Sequence, residues 1–375
     1  MSKKILYIVN DINFFVSHRL EIALSAKREG FQIHVACPRS DYKFTNKLQG
    51  FKHHLISLSR SGRNPLKEIY TFFSIFRVIK KVNPDLMHLI TIKPVIYGGM
   101  ISSILKIHGV VSSVPGLGYS FIHKGLKATF FRFLISFLYK LAFKRDSIRV
   151  IFQNNDDKAI LKKLTKLDVS KIALMKGSGV DLKKFSFSTL PKGKPIVSMA
   201  SRLQRDKGVF EFFEAAKILR ERKKEIEFYF IGELDSFYAS KIEQEDFKKW
   251  KKTDYVKFLG FRTDIHDLFK ESTIIVLPSY REGFPKVLQE AAACGRPIIA
   301  SDVPGCREAI KEGKTGHLVE PRSATALADK IQELIEDKEL LQKMGYGGRK
   351  LAEEEFSIDK IVSQHLELYD ELLKS

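Results

Sequence analysis

Short apolar runs alternate with longer segments of helical periodicity along most of the chain. The pattern begins with an apolar run over 5–9, a helical pattern over 16–29 that stops at Gly30, and a second apolar run over 32–36. A glycine is a typical helix stop, and strand, helix and strand in this order predict a parallel β-α-β unit.

The alternation forms two series separated by residues 176–194, a stretch of Gly, Ser, Pro and Lys that indicates a hinge. The sequence therefore predicts an α/β protein of two doubly wound, Rossmann-like domains, 1–185 and 186–356, which face each other across a cleft. The main elements before the hinge are expected as helices at 65–82 and 95–107 and strands at 85–90, 110–114, 149–153 and 172–175.

Composition supports two globular domains, because 375 residues with 44% hydrophobic and 29% charged side chains suffice for two cores. Three scattered cysteines, Cys37, Cys294 and Cys306, do not suit a disulfide framework or a zinc site. The apolar run at the start is too short for a secretory signal, and no stretch is apolar for 18 residues. We expect a cytoplasmic protein.

The net charge of +20 is concentrated in one half of the chain. Residues 1–190 contain 32 Lys and Arg against 11 Asp and Glu, whereas the remainder contains 32 against 33. Such asymmetry indicates a polyanionic partner, either nucleic acid or an anionic membrane surface. No nucleic-acid-binding motif is recognisable, so we expect no nucleic acid partner.

The segment 124–145 combines Phe, Leu and Tyr with Lys and Arg at helical spacing. It is too interrupted by charge to span a bilayer, but it suits a helix that lies on anionic lipid. The same aromatic side chains could instead pack into the first domain. We favour docking on the inner face of the cytoplasmic membrane, since it accounts for the excess positive charge.

Two strand-to-helix loops of the second domain carry candidate chemistry. Arg202 and Lys207 follow the strand 195–200, where two cations beside a helix N-terminus suit a diphosphate. Glu282 lies in a later loop, and Glu290 lies two helical turns beyond it. Carboxyl ends of parallel strands are where such sheets bind ligands. The alternatives are an exposed basic loop and two solvated acids.

These residues belong to a longer set of motifs. In chain order they are Arg202-x4-Lys207-Gly208, Glu282-Gly-Phe-Pro with the Glu-x7-Glu spacing to Glu290, Gly295-x-Pro297 and Gly305-x-x-Glu308. The set resembles the family-4 retaining glycosyltransferases of GT-B fold, and the likeness extends over almost the whole chain. It implies a UDP-sugar donor, no required metal or other cofactor, and a closing helix, 357–375, that packs back on the first domain.

The resemblance also implies roles for individual residues. Arg202 and Lys207 would hold the diphosphate, Glu290 the ribose hydroxyls, and Glu282 the transferred sugar, so that Glu282, Arg202 and Lys207 form the catalytic group. Further donor contacts would come from two backbone segments: Gly260, Phe261 and Arg262 at the base, and Gly283, Phe284, Pro285, Lys286 and Val287 at the sugar and distal phosphate.

The first domain resembles bacterial enzymes of surface-glycan assembly, which implies transfer to a lipid-linked acceptor such as an undecaprenyl-diphosphate-sugar. Candidate acceptor residues are His18, Lys93, Gly116, Gly118 and His123. His18 could equally cap or pack, and His123 could be an exposed residue at a helix start. A lipopolysaccharide core or glycerolipid acceptor stays open, as does a non-catalytic nucleotide-sugar-binding subunit.

Overall fold

The computed structural model describes residues 2–39, 48, 50–59, 64–117, 126–234 and 242–374. The chain divides into two compact units, Met1–Ser178 with Asp359–Ser375, and Gly179–Ile358. Each unit is a parallel sheet between helices, as the two-series pattern predicts. Within the described residues, no helix is both long and apolar enough to cross a membrane.

The first unit is built on a parallel sheet whose strand order is β3-β2-β1-β4-β5-β6-β7. Its strands are β1 (Lys4–Ile8), β2 (Gln32–Cys37), β3 (Lys52–Leu55), β4 (Leu86–Ile90), β5 (Gly109–Val114), β6 (Ile148–Phe152) and β7 (Ile172–Leu174). Helices cover both faces of this sheet, so strands such as β1 and β4 are mostly apolar and almost completely buried.

The helices of the first unit lie in two layers. They are α1 (Ile12–His18), α2 (Leu20–Arg28), α3 (Pro65–Val82), α4 (Ile92–Leu105), α5 (Leu126–Ala142), α6 (Asn155–Thr165) and the closing α14 (Ile358–Lys374). One layer contains α3, α4, α5 and α6, and the other contains α1, α2 and α14. The closing helix thus shares the core of the first unit.

The second unit has the strand order β10-β9-β8-β11-β12-β13. Its strands are β8 (Ile196–Ala200), β9 (Glu227–Ile231), β10 (Lys257–Gly260), β11 (Ile274–Leu277), β12 (Ile298–Ser301) and β13 (Gly316–Val319). Its helices are α7 (Val209–Glu221), α8 (Gln244–Lys251), α9 (Ile265–Glu271), α10 (Lys286–Ala293), α11 (Pro304–Ala309), α12 (Ala324–Glu336) and α13 (Lys338–Leu351).

Two details of the first unit differ from the sequence prediction. The Asp11 carboxylate accepts a hydrogen bond from Asn13 N at 2.9 Å and so caps the N-terminus of α1. The helix α1 therefore begins four residues before the predicted helix, and Arg19 separates it from α2. The edge strand β3 was not predicted, because its sequence Lys-His-His-Leu is polar and mostly exposed.

The boundary between the units also falls earlier than residue 185. Val180 N donates to Phe356 O at 2.8 Å, and Ile358 N donates to Val180 O at 2.9 Å. Phe185 is buried in the core of the second unit. Residues 179–185 therefore fold with the second unit, since their hydrogen bonds and apolar contacts are there.

Candidate functional site

The candidate donor site lies where the strand order of the second sheet reverses. The chain proceeds outward from β8 through β9 to β10 and then returns to β11, which pairs with the other side of β8. The loops that follow β8 and β11 therefore leave the sheet side by side at its carboxyl edge. This switch point is where open α/β sheets bind ligands.

A glycine allows these two loops to touch. Gly208 ends the β8 loop with φ of +75°, and a Cβ at this position would lie 2.0 Å from Pro278 O. Beside this contact, Tyr280 N donates to Asp206 O at 2.9 Å. The glycine of the Arg202-x4-Lys207-Gly208 motif is thus required by close backbone approach as well as by its left-handed conformation.

Two of the predicted catalytic side chains meet across the touching loops. Lys207 Nζ donates to Glu282 Oε1 at 2.6 Å, and the two side chains are only 21% and 10% exposed. Arg202 lies at the start of the same loop. Lys207 directly precedes Gly208, the N-cap residue of α7, so the helix dipole and the lysine both favour an anion at this edge.

The helix α10 carries the second glutamate of the motif. Burial raises the pKa of the Glu290 carboxyl, and the nearby Lys286, whose Nζ lies 3.8 Å from Glu290 Oε1, opposes this rise. Phe284 and Pro285 are buried, and the Phe284 ring packs 5.3 Å from that of Phe356. The aromatic residue of the motif therefore anchors the start of α10 in the core.

The predicted base-reading segment lies at the end of β10, at the same sheet edge but two strands from β8. Gly260 has φ of +67°, and Phe261 is half exposed. Arg262 Nε donates to Asp264 Oδ1 at 2.8 Å. Within the described part of the chain, no three His, Cys, Asp or Glu side chains are grouped to hold a metal ion.

A cluster of side chains that the sequence pattern did not reveal supports the two loops. Tyr280 OH donates to Glu211 Oε1 at 2.8 Å, and the Arg322 guanidinium lies 4.5 Å from the centre of the Tyr280 ring. Burial, followed by the hydrogen bond to Glu211, raises the pKa of Tyr280 to about 12. An acidic residue on the apolar, aromatic face of α7 was the available signal for this cluster.

Among the acceptor candidates, Lys93 is held by a specific set of partners. Its Nζ donates to Glu68 Oε1 at 2.6 Å and to Ser59 O at 2.8 Å, and Tyr97 OH donates to Glu68 Oε2 at 2.6 Å. Lys93 lies in the first turn of α4, at the carboxyl edge of the first sheet. An anionic ligand at Lys93 would therefore compete with Glu68.

Of the other acceptor candidates, two lie at the ends of elements of the first unit and two lie outside the described residues. His18 is the last residue of α1, whereas the helical pattern over 16–29 would place it near the start of a helix, and its ring stacks on that of Phe14 with 4.1 Å between the ring centres. Gly116 follows β5, whereas Gly118 and His123 lie outside the described residues.

The helix α5 lies within the segment 124–145 that was singled out for its aromatic and basic residues. Its buried face includes Tyr139 and Ala142, so part of the helix packs into the first unit. Its exposed face carries apolar side chains that are 36–73% accessible, namely Phe130, Phe131, Phe133, Leu134, Phe137 and Leu141.

Comparison with known families gives two matches that together cover most of the chain. Residues 4–155 match the model described as "Glycosyl transferase 4-like", and residues 181–351 match "Glycosyl transferases group 1". The second match contains both donor-site loops.

Individual relatives extend this likeness. The chain is 32% identical over 375 residues to the N,N'-diacetylbacillosaminyl-diphospho-undecaprenol alpha-1,3-N-acetylgalactosaminyltransferase of Campylobacter jejuni, covering 95% of this chain and 96% of the relative. It is 26% identical over 321 residues to the UDP-Gal:alpha-D-GlcNAc-diphosphoundecaprenol alpha-1,3-galactosyltransferase of Escherichia coli, covering 82% and 81%. A glycosyltransferase structure from Rickettsia africae shares the fold, with a TM-score of 0.78 at 22% identity over 100% of this chain and 99% of that one.

Proposed function

Because this chain belongs to the glycosyltransferases of the group 1 and 4-like type, we propose that it transfers an N-acetylhexosamine from a UDP-sugar to an undecaprenyl-diphosphate-linked sugar. Two relatives support this choice of acceptor, since both are named for action on sugars linked to undecaprenol through a diphosphate. The observation that carries the donor assignment is the Lys207–Glu282 contact at the switch point of the second sheet.

In this proposal the second unit binds the donor. Arg202 and Lys207 hold the diphosphate, and Glu290 takes the ribose hydroxyls. Glu282 and the backbone N–H groups at the start of α10 contact the transferred sugar and the distal phosphate. The segment 260–262 reads the base.

The chemistry follows from where charge develops. Breaking the sugar–phosphate bond places negative charge on the leaving UDP, and cations fixed before the reaction stabilise this charge without reorganising. We propose a retaining, metal-independent reaction in which the acceptor hydroxyl attacks on the face of the leaving group and its proton passes to a donor phosphate oxygen. The hydrogen bond from Lys207 Nζ to Glu282 Oε1 fixes the position of the cation, which supports such preorganisation.

The first unit binds the acceptor in this proposal. Lys93 receives the acceptor diphosphate in place of Glu68, and Gly116 lies in a neighbouring loop at the same sheet edge. The exposed aromatic face of α5 docks on the anionic inner face of the cytoplasmic membrane, and Lys140 and Lys144 add electrostatic attraction.

Calorimetry with UDP, GDP and ADP, with and without EDTA, tests the donor site. We expect selective UDP binding that survives EDTA, and binding at least about tenfold weaker in Lys207→Met and Glu290→Gln, since each loses a charged contact to the nucleotide. Lys350→Met is the matched control, because Lys350 is an exposed lysine outside the site.

Transfer is then measured with UDP-N-acetylhexosamines and an undecaprenyl-diphosphate-linked sugar as acceptor. Loss of transfer in Lys207→Met and Glu282→Gln, with normal transfer in Lys350→Met, would support the proposal. If the unaltered chain binds none of the three nucleotides, or if Lys207→Met transfers sugar at the normal rate, the donor site is not where we propose it.

A further inference from the structure

One tyrosine beside the donor site is held from three sides. Tyr280 lies in the loop after β11, two residues before Glu282. Its backbone N donates to Asp206 O at 2.9 Å, and its phenol donates to Glu211 Oε1 at 2.8 Å. The Arg322 guanidinium covers its ring, 4.5 Å from the ring centre. The proposed donor contacts include none of these three interactions.

The two hydrogen bonds of Tyr280 lie on either side of Lys207. Asp206 directly precedes Lys207, and Glu211 lies in the first turn of α7, just after it. The Lys207–Glu282 contact of 2.6 Å therefore joins two segments that Tyr280 also joins, at two further points. The position of the Glu282 loop relative to Lys207 thus depends on Tyr280.

The bond between Tyr280 and Glu211 is a strong tie. Glu211 is 9% exposed, and its Oε2 has no hydrogen-bond partner in the part of the chain that the structure describes. Loss of the phenol would leave this buried carboxylate without a donor from Tyr280, and such a loss is costly. Burial raises the pKa of Tyr280 to about 12, so the phenol keeps its proton at the neutral pH of an assay.

The residue that covers the tyrosine ring has a strained backbone. Arg322 has φ of +67°, a left-handed conformation that residues other than glycine rarely adopt. Such strain persists where the surrounding structure holds it, and it is concentrated at functional sites. Arg322 lies in the loop after β13, so a third loop at the carboxyl edge of this sheet contributes to the position of Tyr280.

We propose that Tyr280 and Glu211 are positioning residues for sugar transfer, because their hydrogen bond fixes the Glu282 loop against Lys207. Neither residue touches the donor, and both act through Glu282. The inference rests on the proposed function and deepens it, since Glu282 there contacts the transferred sugar. UDP lacks this sugar, so loss of the tie should lower the rate of transfer more than the affinity for UDP.

Tyr280→Phe tests the inference, because it removes the phenol oxygen and keeps the ring beneath Arg322. We expect the kcat of transfer, per folded protein, to fall about tenfold, while the donor KM and the Kd for UDP change by less than about twofold. Tyr229→Phe is the matched control. Tyr229 OH donates to Glu227 Oε2 at 2.7 Å in the same unit, but within β9 rather than in either loop.

Two variants of Glu211 separate positioning from a general loss of structure. Glu211→Gln keeps an oxygen that accepts the phenol hydrogen, so its kcat should stay within about threefold of wild type. Glu211→Leu should lower kcat as Tyr280→Phe does. Glu211→Leu with Tyr280→Phe should be no slower than the slower single variant, because both changes remove the same bond.

Arg322→Gly gives a second separation. Glycine adopts the left-handed conformation without strain, so the free energy of unfolding should not fall, but kcat should fall because the ring loses its cover. A normal kcat in this variant would contradict the contribution of the third loop.

Crystal structures of the wild type and of Tyr280→Phe give a readout that needs no acceptor. We expect the Glu282 carboxylate to shift by more than about 0.5 Å relative to Lys207, which exceeds the tolerance of a working site. An unchanged position, a kcat equal to that of Tyr229→Phe, or a loss of UDP affinity as large as the loss of kcat would overturn the inference. Absence of transfer by the wild-type chain would contradict the proposed function instead, and the two crystal structures would then decide whether the tie positions Glu282.

Discussion

Replacing Gly208 with alanine tests whether the touching loops create the donor site. Two costs are expected. The left-handed conformation of φ +75° costs an alanine about 1 kcal/mol. The new Cβ would also lie 2.0 Å from Pro278 O, where an ordinary contact begins at 3.4 Å, so one loop must move by more than 1 Å.

A second glycine with a similar φ angle separates the cost of the steric contact from the conformational cost. Gly313 lies in the same unit with φ of +70°, and a Cβ there meets no atom within 4 Å. Gly313→Ala therefore carries the conformational cost alone. Overpacking against a backbone carbonyl adds about 1–3 kcal/mol, so we expect Gly208→Ala to lose about 2–4 kcal/mol of unfolding free energy.

Tryptophan fluorescence can measure the stability of the second unit. Trp250 is the single tryptophan and lies in the second unit, so its fluorescence in a urea titration reports on that unit. In Gly208→Ala, the rate of sugar transfer should fall by more than the loss of folded protein accounts for. Lys207 directly precedes Gly208, and a misplacement of about 1 Å can cost about 100-fold in rate. Equal destabilisation by Gly208→Ala and Gly313→Ala, with UDP binding intact in both, would show that the close approach of the two loops does not create the donor site.

Three further outcomes are expected. Burial lowers the pKa of His365 to about 3, and that of His88 well below 6.5. Both histidines stay neutral in the folded chain while the unfolded chain gains protons, so the free energy of unfolding falls as the pH drops below about 6.5. In acid titrations, His365→Leu should reduce the slope of unfolding free energy against pH by about 1.4 kcal/mol per pH unit. Arg296→Met should cost about 1–3 kcal/mol in urea unfolding, because the buried guanidinium donates to backbone carbonyls of the second unit, and these acceptors lose their donor. Lys93→Met should raise the acceptor KM about tenfold without changing UDP affinity, whereas Glu68→Gln should lower that KM, since the carboxylate that competes with the acceptor diphosphate is lost.

A buried network in the first unit shows why some structure could not be predicted. His88 Nδ1 lies 2.6 Å from Tyr369 OH, His88 Nε2 lies 2.7 Å from Ser113 Oγ, and Tyr369 OH lies 3.1 Å from Tyr7 OH. These groups fix the closing helix α14 on the first sheet. They are up to 362 residues apart in sequence, and each taken alone is an ordinary polar residue in an apolar run.

Features that depend on near neighbours in the chain could be predicted from the amino-acid sequence. Apolar runs buried on both faces specify parallel strands, and the spacing of Lys207 to Gly208 and of Glu282 to Glu290 marks loops at the carboxyl ends of strands. These signals are local, because periodicity and turn chemistry act over a few residues.

Which of these local features come into contact depends on the tertiary fold. The Lys207–Glu282 contact and the support of Tyr280 by Glu211 require β8 and β11 to be neighbours, although about seventy residues separate them in the chain. Likewise, helical periodicity identifies two apolar faces on α3 but does not show which of them is buried. The layer of α3, α4 and α5 covers the face of Ile75 and leaves that of Phe73 exposed, because a helix packed against a sheet has only one side to bury.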